Sequence, residues 1–250
     1  MLRRRVIPCL DVRGGRLVKG INFESLRDCG DPVDAAQRYA EAGADEIVWL
    51  NISAGDERWP ELLAAVERAA ERVDVPLCVG GGITGPEQAR ELLLAGADKI
   101  SVNTAALDRP ELVSELAGRF GTQCVVVAID AARSNGSWKA YASAGHRPTG
   151  RDAIAWARDA AERGAGELLV TSIDSDGTRA GYDVGLVAAV CGAVTVPVIA
   201  SGGAGGPSDL AAALEAGASA ALAASIFHDG IHSIAEVKRE VAACGLPVRI

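Results

Sequence analysis

The chain has 250 residues, 49% hydrophobic but only 4% aromatic, with 29 glycines and a formal net charge of −8. That length suits one large domain or two small ones, and the acidity argues against a nucleic acid or an anionic membrane surface as partner, since both recruit basic excess. No apolar run approaches the roughly 20 residues that span a bilayer, and the opening MLRRRVIPCLDV is too briefly apolar for a signal peptide, so a cytoplasmic α/β protein is expected.

In chain order, short apolar runs read as strands at Arg5–Leu10, Glu46–Leu50, Leu77–Gly80, Lys99–Val102, Cys124–Ile129, Glu167–Thr171, Pro197–Ser201 and Ala220–Ala223. Each is apolar throughout rather than alternating, the pattern of parallel strands buried on both faces. Between them lie amphipathic segments, among them Asp34–Ala42, Pro60–Arg72, Pro86–Ala95, Pro110–Gly118, Arg151–Arg163 and Pro207–Ala216. Several open on proline and close on glycine, the usual asymmetry of helix ends. Eight β–α units in this length predict a closed (β/α)8 TIM barrel, with an open doubly wound sheet as the alternative. The long segment Val12–Asp31 after the first strand, rich in Arg, Lys and Gly, is expected to be a mobile loop carrying Lys19 over the mouth.

An internal repeat divides the chain in two. Val79–Ala105 aligns without gaps to Ala200–Ile226, and Gly43, Ala44 and Glu46 meet Gly164, Ala165 and Glu167 at the same offset. Neither half could close a sheet alone, so one barrel domain over residues 1–250, built from two half-barrels, is expected.

Function in such a barrel sits at the C-terminal ends of its strands. Asp11 follows the first strand and Asp130 the fifth, opposite one another across the mouth. Two facing carboxyls can divide general-acid and general-base work if their surroundings separate their pKa values; capping a loop or pairing with Arg13 or Arg133 is the structural alternative. Glycine-rich turns follow the third strand (Gly80-Gly81-Gly82) and the seventh (Ser201-Gly202-Gly203), beside Asn103-Thr104 and Ala224-Ser225. Backbone N–H groups there could cradle phosphate, and two repeat-related cradles imply an elongated substrate phosphorylated at both ends.

Other chemistries lack support. Six cysteines (Cys9, Cys29, Cys78, Cys124, Cys191, Cys244) form no C-x-x-C pair and read as reduced thiols. His228 and His232 stand four apart without a third ligand, so they are expected to be solvated and no metal is expected. Neither a Walker-type nor a G-x-G-x-x-G motif occurs.

The strings LDVRGGRLVKGINFESLRDCGDP (residues 10–32), VGGGI (79–83), SVNTAAL (101–107), VVVAIDA (125–131), GAGELLVTSIDSDGT (164–178), ASGGAG (200–205) and ALAASIFH (221–228) resemble the cyclase subunit family of imidazole glycerol phosphate synthase. The resemblance runs nearly end to end. It implies a lyase of histidine biosynthesis that adds ammonia to a bisphosphorylated formimino-ribulosyl aminoimidazole carboxamide ribotide, closes the imidazole ring and cleaves the chain. The products are imidazole glycerol phosphate and aminoimidazole carboxamide ribotide, and no cofactor is implied. By resemblance Asp11 and Asp130 are the acid–base pair; Gly82, Asn103 and Thr104 hold one phosphate, and Gly203, Ala224 and Ser225 the other. Lys19 belongs to the closing loop, while Thr171, Asp176 and Ser201 line the mouth. Arg5, Glu46, Lys99 and Glu167 match a charged ring at the barrel floor, through which ammonia from a separate glutaminase chain passes. The sequence departs from the family at Asn51, usually aspartate, and at Ser175 and His146. Asn51 keeps open a catalytically weakened paralogue that binds a bisphosphate or activates the glutaminase; the related barrel isomerase of the same pathway lacks the signature strings.

Overall fold

The computed structural model describes residues 3–21, 24–53 and 58–250. Apolar residues on both faces drive strand formation at Arg5–Arg13 (β1), where six of the interior positions are shielded from water together with Asp11. β1 turns back through Arg16–Ile21 (β2) and Glu24–Gly30 (β3) before the first helix, Pro32–Glu41 (α1). The Asp31 side chain caps α1 by accepting from the N–H groups of Val33 and Asp34, which satisfies donors that the first turn leaves open. Then follow Ile47–Asn51 (β4), Trp59–Ala70 (α2), Leu77–Gly80 (β5), Pro86–Leu94 (α3), Lys99–Val102 (β6), Thr104–Asp108 (α4) and Glu111–Phe120 (α5).

The second half repeats this order: Val125–Ser134 (β7), Ser137–Ala142 (β8), Arg147–Asp152 (β9), Ala153–Glu162 (α6), Glu167–Ser172 (β10), Val184–Cys191 (α7), Val198–Ser201 (β11), Pro207–Glu215 (α8), Ala220–Ala223 (β12), Ser225–His228 (α9) and Ile234–Ala243 (α10). Among the described residues, β1, β4, β5, β6, β7, β10, β11 and β12 pair in parallel around a closed ring. This is the (β/α)8 barrel expected from the alternating pattern.

Two elements depart from the sequence reading for the same reason. The segment after β1 is an antiparallel extension rather than an irregular loop: Arg13 pairs with Arg16 and Asp11 with Val18 across the β1–β2 turn, and β2 pairs with β3. In the other half, β7–β8–β9 build the same extension 121 residues later, and Asp152 caps α6 as Asp31 caps α1. The turns carry the cause. Gly14-Gly15 and Asn135-Gly136 hold positive φ at both positions, as a two-residue hairpin turn requires. Asn-Gly between Arg133-Ser134 and SWKAYA was the readable signal. Arg151 and Asp152, expected to begin a helix, instead end β9.

The apolar interior is split by the barrel wall. Most of the core lies between strands and helices. A smaller cluster fills the barrel itself, built from Ile7, Cys9, Val48, Cys78, Val126 and Leu169 with their neighbours. Among the described residues, no helix is long and apolar enough to cross a membrane. All six cysteines are free thiols; Cys9 and Cys78 are buried, whereas Cys124 sits in a short 3-10 turn outside the strand expected to hold it.

Candidate active site

The wall brings the two aspartates to one rim. Asp11, only 7% exposed, stands on β1 in register with Leu50 of β4. The β1–β2 hairpin folds Lys19 back over it, with Nζ 3.5 Å from Asp11 Oδ2, and Cys9 Sγ lies 3.7 Å from Oδ1 as a weak donor. Asp130 stands on β7 beside Thr171 of β10, and its Oδ2 accepts from Asn103 Nδ2 at 2.8 Å. Neither Arg13 nor Arg133 is the partner; Arg133 Nη2 reaches Asp183 at 3.1 Å instead.

Those partners give the carboxyls different electrostatics. Burial pushes Asp130 up to about 7, Asp176 adds to that rise, and the neutral Asn103 donor opposes it. Burial also raises Asp11, but there the Lys19 ammonium pulls in the opposite direction while Asp176 again adds to the rise. For Lys19, burial alone would lower the pKa; the carboxylates of Asp11 and Asp176 outweigh it and hold the ammonium above its ordinary value. Asp176, expected to line the mouth, thus acts on both aspartates.

The two glycine turns occupy matching places. A Cβ on Gly81 would stand 1.9 Å from the Asn51 carbonyl oxygen, and one on Gly202 would stand 2.6 Å from that of Ser172. Both have positive φ, so only glycine lets the chain turn against the neighbouring strand end. Gly82 and Gly203 follow, also at positive φ. Asn103 follows β6 as the N-cap residue of α4, which Thr104 opens, and Thr104 Oγ1 accepts from the Ser143 N–H at 2.9 Å. Ala224 and Ser225 take the equivalent position between β12 and α9. Ser201, buried, and Thr171 close the wall between β11 and β10.

At the opposite end of the barrel the four charged residues form a closed alternating ring. Arg5 pairs with both Glu46 and Glu167. Lys99 Nζ lies 2.9 Å from Glu46 and 2.8 Å from Glu167. Both acids are buried, and burial would raise Glu167, yet Arg5 and Lys99 hold it below the ordinary carboxylate range. Glu46 precedes β4 by one residue, a small shift from the expected strand. Between ring and mouth lies the apolar barrel interior.

Some features were not foreseen. His228, expected to be solvated, is largely buried at the end of α9; Tyr39 Oη lies 2.6 Å from its Nδ1, and burial drops its pKa to about 4. An apolar-flanked His in SIFH was the available clue. His232 lies beyond that helix, 3.5 Å from Glu236, so the two histidines share no helix face. Among the described residues, no group of three metal-ligating side chains is found. Asn51 Oδ1 accepts from the Ser53 N–H at 3.2 Å, a local turn bond that either Asn or Asp can make. Ser175 Oγ lies 3.3 Å from Ser172 Oγ, and His146 sits in the β8–β9 turn.

Comparison with known proteins matches the sequence to a family. A profile described as Histidine biosynthesis protein covers residues 5–233. The chain is 54% identical to imidazole glycerol phosphate synthase subunit HisF of Gluconacetobacter diazotrophicus, over all of this chain and 97% of that one. It is 55% identical to the subunits of the same name from two strains of Dehalococcoides mccartyi, over all of this chain and 99% of theirs.

Proposed function

Because the chain belongs to the histidine biosynthesis protein family, as an enzyme of the imidazole glycerol phosphate synthase HisF type, we propose that Asp11 and Asp130 carry its cyclase–lyase reaction between two phosphate cradles. The substrate in this reading is the bisphosphorylated formimino-ribulosyl aminoimidazole carboxamide ribotide. Gly82, Asn103 and Thr104 take one phosphate, and Gly203, Ala224 and Ser225 take the other. One barrel domain over residues 1–250 holds the whole site, and no cofactor enters.

The carrying observation is the unequal support of the two aspartates. Asp11 faces a cation at 3.5 Å, whereas Asp130 faces a neutral amide at 2.8 Å. A carboxyl opposite a cation keeps its charge at lower pH than one opposite a neutral donor in equal burial. Asp11 is therefore the base, positioned by Lys19, and Asp130, with a pKa of about 7, is the acid that protonates during ring closure and chain cleavage. Asp176 keeps Asp130 protonated further toward neutral pH. Thr171 and Ser201 shape the wall against which the substrate lies.

A subunit name implies a partner subunit. In our reading that partner is a glutaminase in the cytoplasm, docked at the floor, and the ring of Arg5, Glu46, Lys99 and Glu167 guards the entry of its ammonia. The apolar barrel interior then carries a neutral molecule, which loses little on leaving water compared with ammonium.

The reading is tested by supplying the ribulosyl substrate with ammonium salts at alkaline pH and following the loss of substrate absorbance. Ammonia-dependent turnover that Asp11→Asn and Asp130→Asn abolish, with substrate still bound, supports it. Substrate binding without turnover in the parent protein contradicts it and favours the weakened paralogue that Asn51 suggests.

A further inference from the structure

Beside the second cradle lies a cavity of about 450 Å³, within the range of small-molecule sites, whose polar lining includes Lys19, Arg27, Arg179, Ser225 and Asp229. Its charges come from distant parts of the chain: Arg27 from β3, Arg179 from the segment after β10, and Asp229 from the end of α9. Asp229 serves both guanidiniums, one on each carboxylate oxygen, through Arg27 Nη2 on Oδ1 and Arg179 Nη2 on Oδ2. Arg179 Nε also lies 3.4 Å from Ser225 Oγ.

Two guanidiniums on one carboxylate leave a positive charge over, in a chain whose net charge is −8. Each guanidinium has five N–H donors in a planar fork, and Asp229 engages one of each. The remaining donors suit a tetrahedral dianion better than a second carboxylate, because phosphate offers several oxygens to bidentate forks. Asp229 is then a placeholder: it keeps the two arginines together at the rim and gives them up to a ligand of higher charge.

We propose that Arg27 and Arg179 form a guanidinium clamp on the phosphate monoester at the Gly203–Ser225 end of the substrate, with Asp229 as the anion that the phosphate displaces. This rests on the reading of that end as a phosphate site and adds the side chains that select a dianion there. Lys19, shared between this cavity and Asp11, ties the clamp to the reacting end of the site.

The test measures binding of inorganic phosphate and of glycerol 3-phosphate to the full chain by calorimetry at fixed ionic strength. Arg27→Gln and Arg179→Gln should each weaken binding by roughly five- to twentyfold, the range of one charge-assisted hydrogen-bonded contact. Arg179→Lys should recover part of the loss, and Asp229→Asn should tighten binding by about threefold, since it removes the competing anion. Arg163→Gln, which breaks a pair with Asp159 near the end of α6 and away from both cradles, should leave binding unchanged. In turnover assays the two arginine variants should raise KM with kcat within about twofold of the parent, as for uniform binding. Parent-like phosphate binding in both glutamine variants overturns the clamp, as does an Asp229→Asn protein that binds as weakly as they do. Phosphate binding needs no turnover, so a protein that binds these probes as stated yet turns over no ribulosyl substrate refutes the proposed reaction and leaves the clamp standing.

Discussion

Asn103 Nδ2 donates to Asp130 Oδ2 at 2.8 Å, joining the residue after β6 to the acid on β7. The bond favours the ionised carboxylate, against the burial and the Asp176 charge that push Asp130 up to about 7. Asn103→Ala removes that opposition, so Asp130 should stay protonated to higher pH. At constant free ammonia, the alkaline limb of the rate profile should begin near pH 7 in the parent and move upward by about half a unit or more in the variant. A limb that stays in place would show that another group sets it.

The same raised pKa makes Asp130 a cost to folding. With the folded value near 7 and the unfolded one near 4, the native state binds the extra proton between them. Stability therefore falls as pH rises from about 4 through 7, and the full cost is present above. Asp130→Asn removes the charge while keeping the shape. Because the group opens to the mouth, we expect a gain on the order of 1–2 kcal/mol at pH 8, or roughly 2–8 °C in Tm, and almost none at pH 4. Thermal melts at both pH values check this, and equal gains at the two would refute the assignment.

Removing Arg5 should be severe. Glu46 and Glu167 are buried and would share only Lys99, so Arg5→Ala should destabilise by about 3–5 kcal/mol. Glu167 is held below its ordinary range, so its contribution is present above the unfolded glutamate value, roughly 4.5, and is lost as pH falls below it. The difference between parent and variant, measured by denaturant unfolding, should accordingly narrow as pH is lowered toward 4. A difference independent of pH would assign the loss to packing of the arginine stem.

The glycine turns predict a graded series. Gly81→Ala forces a Cβ to within 1.9 Å of the Asn51 carbonyl oxygen, Gly202→Ala to within 2.6 Å of that of Ser172, and Gly30→Ala meets nothing within 4 Å. All three have positive φ. The Gly30 variant should lose only the conformational strain of about 1 kcal/mol, while the Gly81 variant should lose at least about 3 kcal/mol by overpacking against backbone. Gly202→Ala should fall between. Chemical denaturation orders them, and a Gly81 variant as stable as Gly30→Ala would contradict the close approach.

What the sequence made legible follows from which interactions are local. The doubly buried strands, the proline and glycine helix ends and the 121-residue repeat were readable because each depends on neighbours within a turn or on a fixed period. The places of Asp11, Asp130, Gly82 and Gly203 followed from strand ends. The hairpins were obscured because β2 and β3 carry Arg16, Lys19, Arg27 and Asp28 at positions that read as solvated loop, although Gly14-Gly15 and Asn135-Gly136 marked their turns. Partners brought together by the barrel wall stayed hidden: Asn103 against Asp130, Asp176 near both acids, His228 against Tyr39, and Asp229 between Arg27 and Arg179. Nothing in their spacing along the chain encodes those meetings, which arise only when the sheet closes.

In the proposed reaction one substrate bridges the two cradles, with the aspartates between its ends. A crystal structure of the Asp130→Asn protein with the bisphosphorylated ribulosyl substrate tests it directly. One phosphorus should lie against Gly82, Asn103 and Thr104, the other against Gly203, Ala224 and Ser225, with the formimino and ribulosyl groups between Asp11 and position 130. Both phosphates at one cradle, or the ligand seated away from this rim, would refute the bridging arrangement.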